Sequence, residues 1–406
     1  MTESSQTLST QQAERFQRQL SLAGFGPSAQ RRLLDSRVLV IGAGGLGSPV
    51  LSYLAAAGVG TIDIVDHDTV ERSNLHRQVI HSEERIGAPK TASAAQVMRG
   101  LHPDIVIHEH REPLTAENAL ALMAPAEVIV DGSDNFATRY IVADAAEIAG
   151  KPVVHGAILR FNGQLGVFWA GRGPVYRDLY PSPPPPEAIP SCAEAGVLGV
   201  LPGVIGTLMA AETIKLLTGL GEPLIGRVLG YDALTAEFHE IPLKANPDRV
   251  PADTIGADVA PPAGAGTGEA GAPGTDAAGD TGATDDTAGT IDGATLRELL
   301  HEGRAPVLVD VREEWEYQLG AIPGAVNVPL AGILDGSTQV PGVSGGSGTS
   351  SGPGPEVVLY CKAGARSRRA REALRRAGAA GVILSLSGGY DAWTALREEQ
   401  DRNDRA

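Results

Sequence analysis

Gly42, Gly44 and Gly47 form G-x-G-x-x-G directly after the apolar run Arg37–Ile41 and at the opening of a helical pattern. That placement reads as a phosphate cradle, in which backbone amides and a helix N-terminus face an anion and the glycines permit close approach. Asp66, at the end of the next apolar run, is placed to accept hydrogen bonds from a ribose. By itself this fingerprint fits a nicotinamide dehydrogenase, or a tight turn that holds no ligand. The residues that follow shift the balance. Ser73–Arg77 (S-N-L-H-R), Lys90 in G-A-P-K and Asp131–Arg139 (D-G-S-D-N-F-A-T-R) add two cations and a further carboxylate. That charge is excessive for a pyrophosphate flanked by nicotinamide. It suits a triphosphate, with Arg77 and Lys90 neutralising phosphate oxygens and Asp134 holding Mg2+.

The two cysteines offer a second chemistry. Cys361 ends an apolar run in EVVLYCKAGARSRRAREALRR, and its loop leads straight into a helix. Successive backbone amides and the helix dipole should converge on the sulfur, and six arginines between Arg366 and Arg376 raise the local potential. Such a setting favours a thiolate and an anionic persulfide. Cys192, in S-C-A-E-A-G, lies where a Pro-rich stretch meets an apolar run, and a helix starting just after it would favour its thiolate. It is either a small buried hydrophobe or a reactive thiol.

The elements that must position these residues alternate. Strands are expected at 37–44, 60–68, 104–110, 127–134 and 151–158, with a helix at 48–59. Such βαβα order predicts a doubly wound, mostly parallel α/β sheet with its ligand site at the carboxyl ends of the strands. PVLVDVR, VVLYC and VILSL with the helix SRRAREALRRAG predict a second, smaller α/β domain. Between Pro251 and Thr290, 31 of 40 residues are Gly, Ala, Pro or Thr, seven are acidic and none is basic, which predicts a disordered linker. Such a linker would span roughly 35 Å r.m.s.. Gly336–Pro355 reads as a long surface loop. The expected division is therefore 1–250, linker 251–290 and 291–400.

Composition removes other classes. A net charge of −16 argues against nucleic acid or an anionic membrane as partner. Two cysteines supply neither a disulfide scaffold nor a four-thiolate metal site. The longest apolar run, Ala195–Ala211, contains Pro202 and reads as a buried helix rather than a membrane span. The first residues hold no apolar stretch of the kind that directs secretion, so a cytoplasmic protein is expected.

RFQRQL, GAGGLGSPVLSYLAAAGVGTIDIVDHDTVERSNLHRQV, the GAPK lysine and DGSDNFATRY resemble the ubiquitin-activating-type adenylyltransferases of the MoeB/ThiF family, over about residues 12–244. The resemblance implies ATP-dependent adenylation of the C-terminal glycine of a small ubiquitin-like protein. It implies Gly45, Asp66, Ser73, Asn74, Leu75, His76, Arg77 and Lys90 as ATP-site residues, with Asp134 and Asn135 handling Mg2+ and phosphate. Arg18 resembles the arginine that the family inserts into the partner subunit's site, which implies a homodimer. Cys192 matches the position where the family holds an acyl or disulfide intermediate. DVREEWEYQLGAIPGAVNVPL, the Cys361 loop and LSGGYDAW are similar to single-domain rhodaneses. Arg366 lies five residues after Cys361, whereas cysteine phosphatases place arginine six after the nucleophile, so sulfur transfer is the better reading.

Many of these adenylyltransferases carry two C-x-x-C pairs for structural zinc. The corresponding segments here, Gly173–Pro181 and Asn246–Asp253, contain no cysteine. Zinc is therefore not expected, at a cost in rigidity of the crossover around Arg172–Ser191. The fusion resembles MoeZ-like adenylyltransferase/sulfurtransferases. It implies a sulfur carrier ending in Gly-Gly as partner and thiosulfate or a cysteine desulfurase as sulfur donor. An adenylating enzyme with a scaffolding rhodanese domain is the main alternative.

The division of the chain has a direct consequence. Residues 1–250 expressed alone should adenylate a carrier, and residues 291–400 alone should transfer sulfur from thiosulfate. Their separation should weaken only the coupled reaction, by about the millimolar effective concentration that a tether supplies. An insoluble or inactive 1–250 fragment would place the boundary elsewhere.

Overall fold

The structure, a computed structural model, describes residues 8–184, 196–256, 289–343 and 357–403. Met1–Glu269 and Ala270–Ala406 form two compact units. Most of the linker expected at 251–290, most of the loop expected at 336–355, and Cys192 lie outside the described residues.

In the first unit β1 (Arg37–Ile41), β2 (Thr61–Val65), β3 (Val106–His110), β4 (Val128–Asp131) and β5 (Val153–Leu159) are parallel, in the order β3-β2-β1-β4-β5. β6 (Asn162–Phe168), β7 (Arg227–Asp232) and β8 (Glu237–Pro242) extend the sheet antiparallel. The doubly wound half is as the alternation predicts. The antiparallel half follows from Arg160 and Phe161, a two-residue connection too short for a parallel crossover. Apolar side chains line both faces of β1: Val38 and Val40 pack with Leu54 and Ile62, while Leu39 and Ile41 pack with Met123 and Tyr140. A parallel sheet covered on both faces reads in sequence as a continuous apolar run.

The apolar helix spans Leu201–Thr218, beginning later than the run at Ala195 suggests. Gly196 takes a positive φ of 74°, outside helical geometry, and Val197 forms an isolated bridge with Arg160, so the helix has not yet begun there. This helix is long and apolar enough to cross a membrane, but more than half of it is buried in this fold. Gly156 and Gly163 leave room on β5 and β6 for Met209 and Ile205, so it packs as a core helix.

The described part of the crossover, residues 172–184, is anchored by ion pairs. Asp178 Oδ1 accepts from the backbone amide of Asn246 at 3.0 Å and from Arg249 Nε at 3.2 Å. Arg249 also pairs with Glu147 at 2.6 and 3.1 Å, and Arg177 with the buried Asp144 at 2.5 and 2.9 Å. The Arg249–Asp178 pair and the Asn246 amide thus join the two segments, and Glu147 and Asp144 tie each of them to helix Phe136–Ala149.

The second unit is a five-stranded parallel sheet in the order β11-β10-β12-β13-β9. Its strands are β9 (Thr290–Ile291), β10 (Val307–Asp310), β11 (Val326–Asn327), β12 (Val357–Tyr360) and β13 (Ile383–Leu386). The arginine-rich helix, Ala365–Arg376, follows β12 directly.

The chain reverses strand order at β1, which lies between β2 and β4. Helix Gly47–Ala57 begins there at very close range, and a Cβ at Gly47 would overlap the carbonyl oxygen of Gly42. Gly47→Ala should therefore cost about 2 kcal/mol or more. Gly203→Ala, in open space on the apolar helix, should be neutral or stabilising by up to about 1 kcal/mol. Urea unfolding midpoints check both; equal midpoints would remove the steric argument.

Candidate active site

At the switch point a cavity of about 380 Å3 opens over the ends of β1, β2 and β4. Ile41, Val65, Pro113 and Leu114 give it an apolar wall, while Gly42, Gly44 and Gly45 form its floor. Asp66 enters from the end of β2 and holds that floor: its Oδ2 accepts from the Ala43 amide and its Oδ1 from the Asp68 amide, both at 2.8 Å. Burial pushes the Asp66 carboxyl above its usual range, against the pull of Lys90. Lys90 starts helix Lys90–Leu101, is 6% exposed, and donates from Nζ to Asp68 at 2.7 Å. Arg77 and Asp134 also line the cavity. Asp134 is exposed and has no hydrogen-bond or ion-pair partner among the described residues.

The other expected site residues are placed around this group. Of Ser73–Arg77 only Arg77 lines the main cavity. The buried Asn74 lies behind it, with Oδ1 accepting from Arg77 at 3.3 Å and from Gln78 at 3.1 Å. Asn74 and Lys90 line a smaller adjoining cleft. Ser73 donates to Glu71, and the exposed His76 sits beside Arg77 with its ring at 2.8 Å. Leu75 is half-buried. Asn135 lines the cavity but its side chain caps helix Phe136–Ala149, accepting from the Thr138 amide at 2.9 Å. Arg18 is exposed on the short helix Gln17–Leu20 and is not among the residues of its own chain's cavity.

Sequence reading missed several supports. His81 is buried, bonded through Nε2 to the Ala43 carbonyl and through Nδ1 to Ser93 Oγ, each at 2.9 Å. Ala43 is thus held by its N–H and by its C=O. Asp131 and His155 form a buried pair at 2.9 Å below the Ser133–Asp134 turn. Arg139 donates to the Ser133 carbonyl at 3.3 and 3.4 Å. A polar residue inside an apolar strand, as in VVHGAIL, was the available signal for His155.

In the second unit Cys361 is 2% exposed. Gly364, in the left-handed region at φ 99°, turns its amide onto Sγ at 3.1 Å. Ser367 Oγ lies 3.8 Å from the sulfur and is tied to Gly364 O and Ser385 Oγ. The Gly-Gly of LSGGYDAW packs on this loop: a Cβ at Gly389 would crowd the Cys361 and Lys362 carbonyls, which accept from the Tyr390 and Asp391 amides. The arginines do not act as a common pool. Arg366 forms a bidentate pair with Glu316 at 2.6 and 2.8 Å, and Glu316 is held below its usual range in spite of burial. Arg376 pairs with Glu372 one turn earlier.

Fold and site together define a nucleotide-site α/β domain followed by a smaller α/β domain built around a buried cysteine. The family model of the ThiF family matches residues 16–252 and that of the rhodanese-like domain residues 292–396, and the chain belongs to the ThiF family. It is 42% identical to the probable adenylyltransferase/sulfurtransferase MoeZ of Mycobacterium tuberculosis over 403 residues, covering 97% of this chain and 95% of MoeZ. It is 38% identical to the adenylyltransferase and sulfurtransferase MOCS3 of Arabidopsis thaliana, covering 96% of this chain and 84% of MOCS3. Over 58% of the chain it is 51% identical to 89% of a sulfur carrier protein adenylyltransferase of Thermus thermophilus. A crystal structure of E. coli MccB with MccA-N7isoASN shares the fold at a TM-score of 0.54 and 22% identity, covering 60% of this chain and 75% of that one.

Burial holds His81, His102 and His155 below the usual histidine value. The unfolded chain takes up protons at these rings near pH 6.5, where the fold keeps them neutral. Their contribution to stability is full above about pH 7 and shrinks as the pH falls through about 6.5. Calorimetry should show a lower Tm at about pH 5.5 than at about pH 7.5; a flat profile would contradict the assignment.

Proposed function

We propose that the first unit adenylates the C-terminal glycine of a small ubiquitin-like sulfur carrier and that Cys361 then supplies the sulfur. The protein is an adenylyltransferase and sulfurtransferase that uses ATP and acts on a sulfur carrier protein. The observation that carries the detailed reading is the meeting of Asp66, Arg77, Lys90 and Asp134 around one glycine-floored cavity.

The apolar wall suits an adenine, and Asp66 keeps acceptor capacity for a ribose beside the two amides it already binds. Lys90 and Arg77 face the phosphates. A free carboxylate at the cavity mouth fits a hard cation that takes its remaining ligands from phosphate and water, so Asp134 would hold Mg2+. Bound there, Mg2+ would neutralise phosphate charge. The carrier carboxylate attacks the α-phosphorus, pyrophosphate leaves, and Arg77 and Lys90 meet the developing charge. Arg18 contributes from the second subunit of a homodimer.

The acyl-adenylate is then attacked at its carbonyl by a persulfide on Cys361. AMP leaves and an acyl disulfide forms. The Gly364 amide, 3.1 Å from Sγ, stabilises the sulfur anion. The persulfide is charged by thiosulfate or by a cysteine desulfurase. If Cys192 attacks Cys361 Sγ, the carrier departs as a thiocarboxylate and the two cysteines are left as a disulfide, which a dithiol reductant reopens. An acyl-thioester role and a structural role remain the other readings of Cys192. The thiocarboxylate serves molybdopterin, thiamin or cysteine synthesis, and thiol-based sulfur transfer suits the reducing cytoplasm.

Asp134→Ala should lower carrier-dependent ATP–pyrophosphate exchange by about 100-fold or more without unfolding the chain. Cys361→Ala should leave that exchange unchanged and abolish both thiosulfate sulfurtransfer and thiocarboxylate formation, read by intact mass of the carrier. Wild-type exchange in a folded Asp134→Ala chain, or thiocarboxylate from Cys361→Ala, would sink the respective role.

A further inference from the structure

Asp131 ends β4 and His155 lies opposite it in the register of β5. Both are at most 2% exposed. Asp131 Oδ2 meets His155 Nδ1 at 2.9 Å, while Oδ1 accepts from the Ser133 amide at 3.0 Å and from Ser133 Oγ at 2.6 Å. The Ser133 carbonyl in turn accepts from Arg139. The residue before Asp134 is therefore held by its N–H, its hydroxyl and its C=O.

The hydrogen bonds from His155 and Ser133 keep Asp131 below the usual carboxylate range although burial opposes this. Asp131 is then an acceptor only, which requires the proton on His155 Nδ1 and leaves Nε2 as an acceptor. His155 Nε2 has no partner among the described residues, and neither does Tyr176 Oη. Both residues line one small cavity, with ring centroids 4.9 Å apart, and burial keeps the Tyr176 phenol protonated. The cavity is of a size to hold about one water between that donor and that acceptor. A core packed only for stability has no need of this polar chain beneath an apolar strand, since an apolar pair of similar shape serves as well.

We propose that His155 is a positioning residue of the adenylation site: its Nδ1–H fixes the Asp131 carboxylate, which through Ser133 sets the turn that presents Asp134 to the nucleotide. The proposal rests on Asp134 as the metal-holding carboxylate. Outer residues that orient a metal ligand are worth about 10–100-fold in metal affinity.

Binding to the full chain is measured by calorimetry with ATP in excess Mg2+ and with ATP in EDTA, so that the advantage conferred by the metal is read separately from nucleotide affinity. His155→Leu should lose about 10-fold of that advantage, with metal-free ATP affinity and thiosulfate sulfurtransfer at Cys361 unchanged. His155→Asn, which keeps a donor toward Asp131, should recover most of it. A His155→Leu chain that keeps the advantage, or loses affinity for both forms equally, overturns the proposal, as does absence of rescue by Asn. If the leucine variant does not unfold cooperatively, Ser133→Ala decides, because it removes one donor to Asp131 at the cavity edge; an unchanged metal advantage there overturns the proposal. Asp134→Ala in the same assay isolates the underlying assignment: if it retains the metal advantage, the Asp134 role itself falls.

Discussion

The constraint on which the first unit depends is the close approach of two backbones where β1 and β4 end. A Cβ at Gly42 would stand 3.2 Å from the Gly132 carbonyl oxygen, and one at Gly47 would overlap Gly42 itself. Because the chain can pass this close, the loop Gly42–Leu46 turns back tightly and the helix N-terminus at Gly47 packs against the end of β1. Asp66 then reaches the Ala43 amide from one side and His81 the Ala43 carbonyl from another. Ala43, between the glycines of the cavity floor, is thus held at both its N–H and its C=O, which fixes the loop.

The second unit solves a related problem on a smaller scale. A strand ends, a glycine with positive φ turns the chain, and a helix begins, as around Gly42 at φ 90° and Gly364 at φ 99°. The difference lies in what fills the concavity. Around Gly42 the loop stays open toward charged side chains, whereas around Gly364 the chain's own sulfur occupies the focus of the amide. Glu316 neutralises the Arg366 guanidinium, and the loop backbone meets the sulfur through the Gly364 amide.

Local signals were legible and long-range ones were not. The apolar runs marked β1, β2, β4, β10 and β12, since parallel strands buried on both faces leave little room for polar residues. The glycine fingerprint, Asp66, Arg77, Lys90 and Asp134 were found as separate motifs, and topology brings them to one cavity. What the sequence could not disclose is pairing across many residues. Nothing local connects His81 with Ala43, or Glu316 with Arg366, fifty residues apart. Composition also overestimated the start of the apolar helix, because Ala195–Val200 is apolar yet Gly196 bends away from helical geometry. Asn135 shows the opposite case, where a residue expected at phosphate has its side-chain oxygen committed to a helix cap.

The clamp formed by Asp144, Glu147, Arg177, Asp178 and Arg249 bears on how the protein matures. A four-thiolate site closes only when metal arrives, and its affinity varies with pH and with competing chelators. These carboxylate–guanidinium pairs are completed by the chain's own folding, and because they are largely buried they are little screened by salt. The join between the segment around Asp178 and Asn246–Asp253 is therefore made by the fold's own side chains and backbone amide.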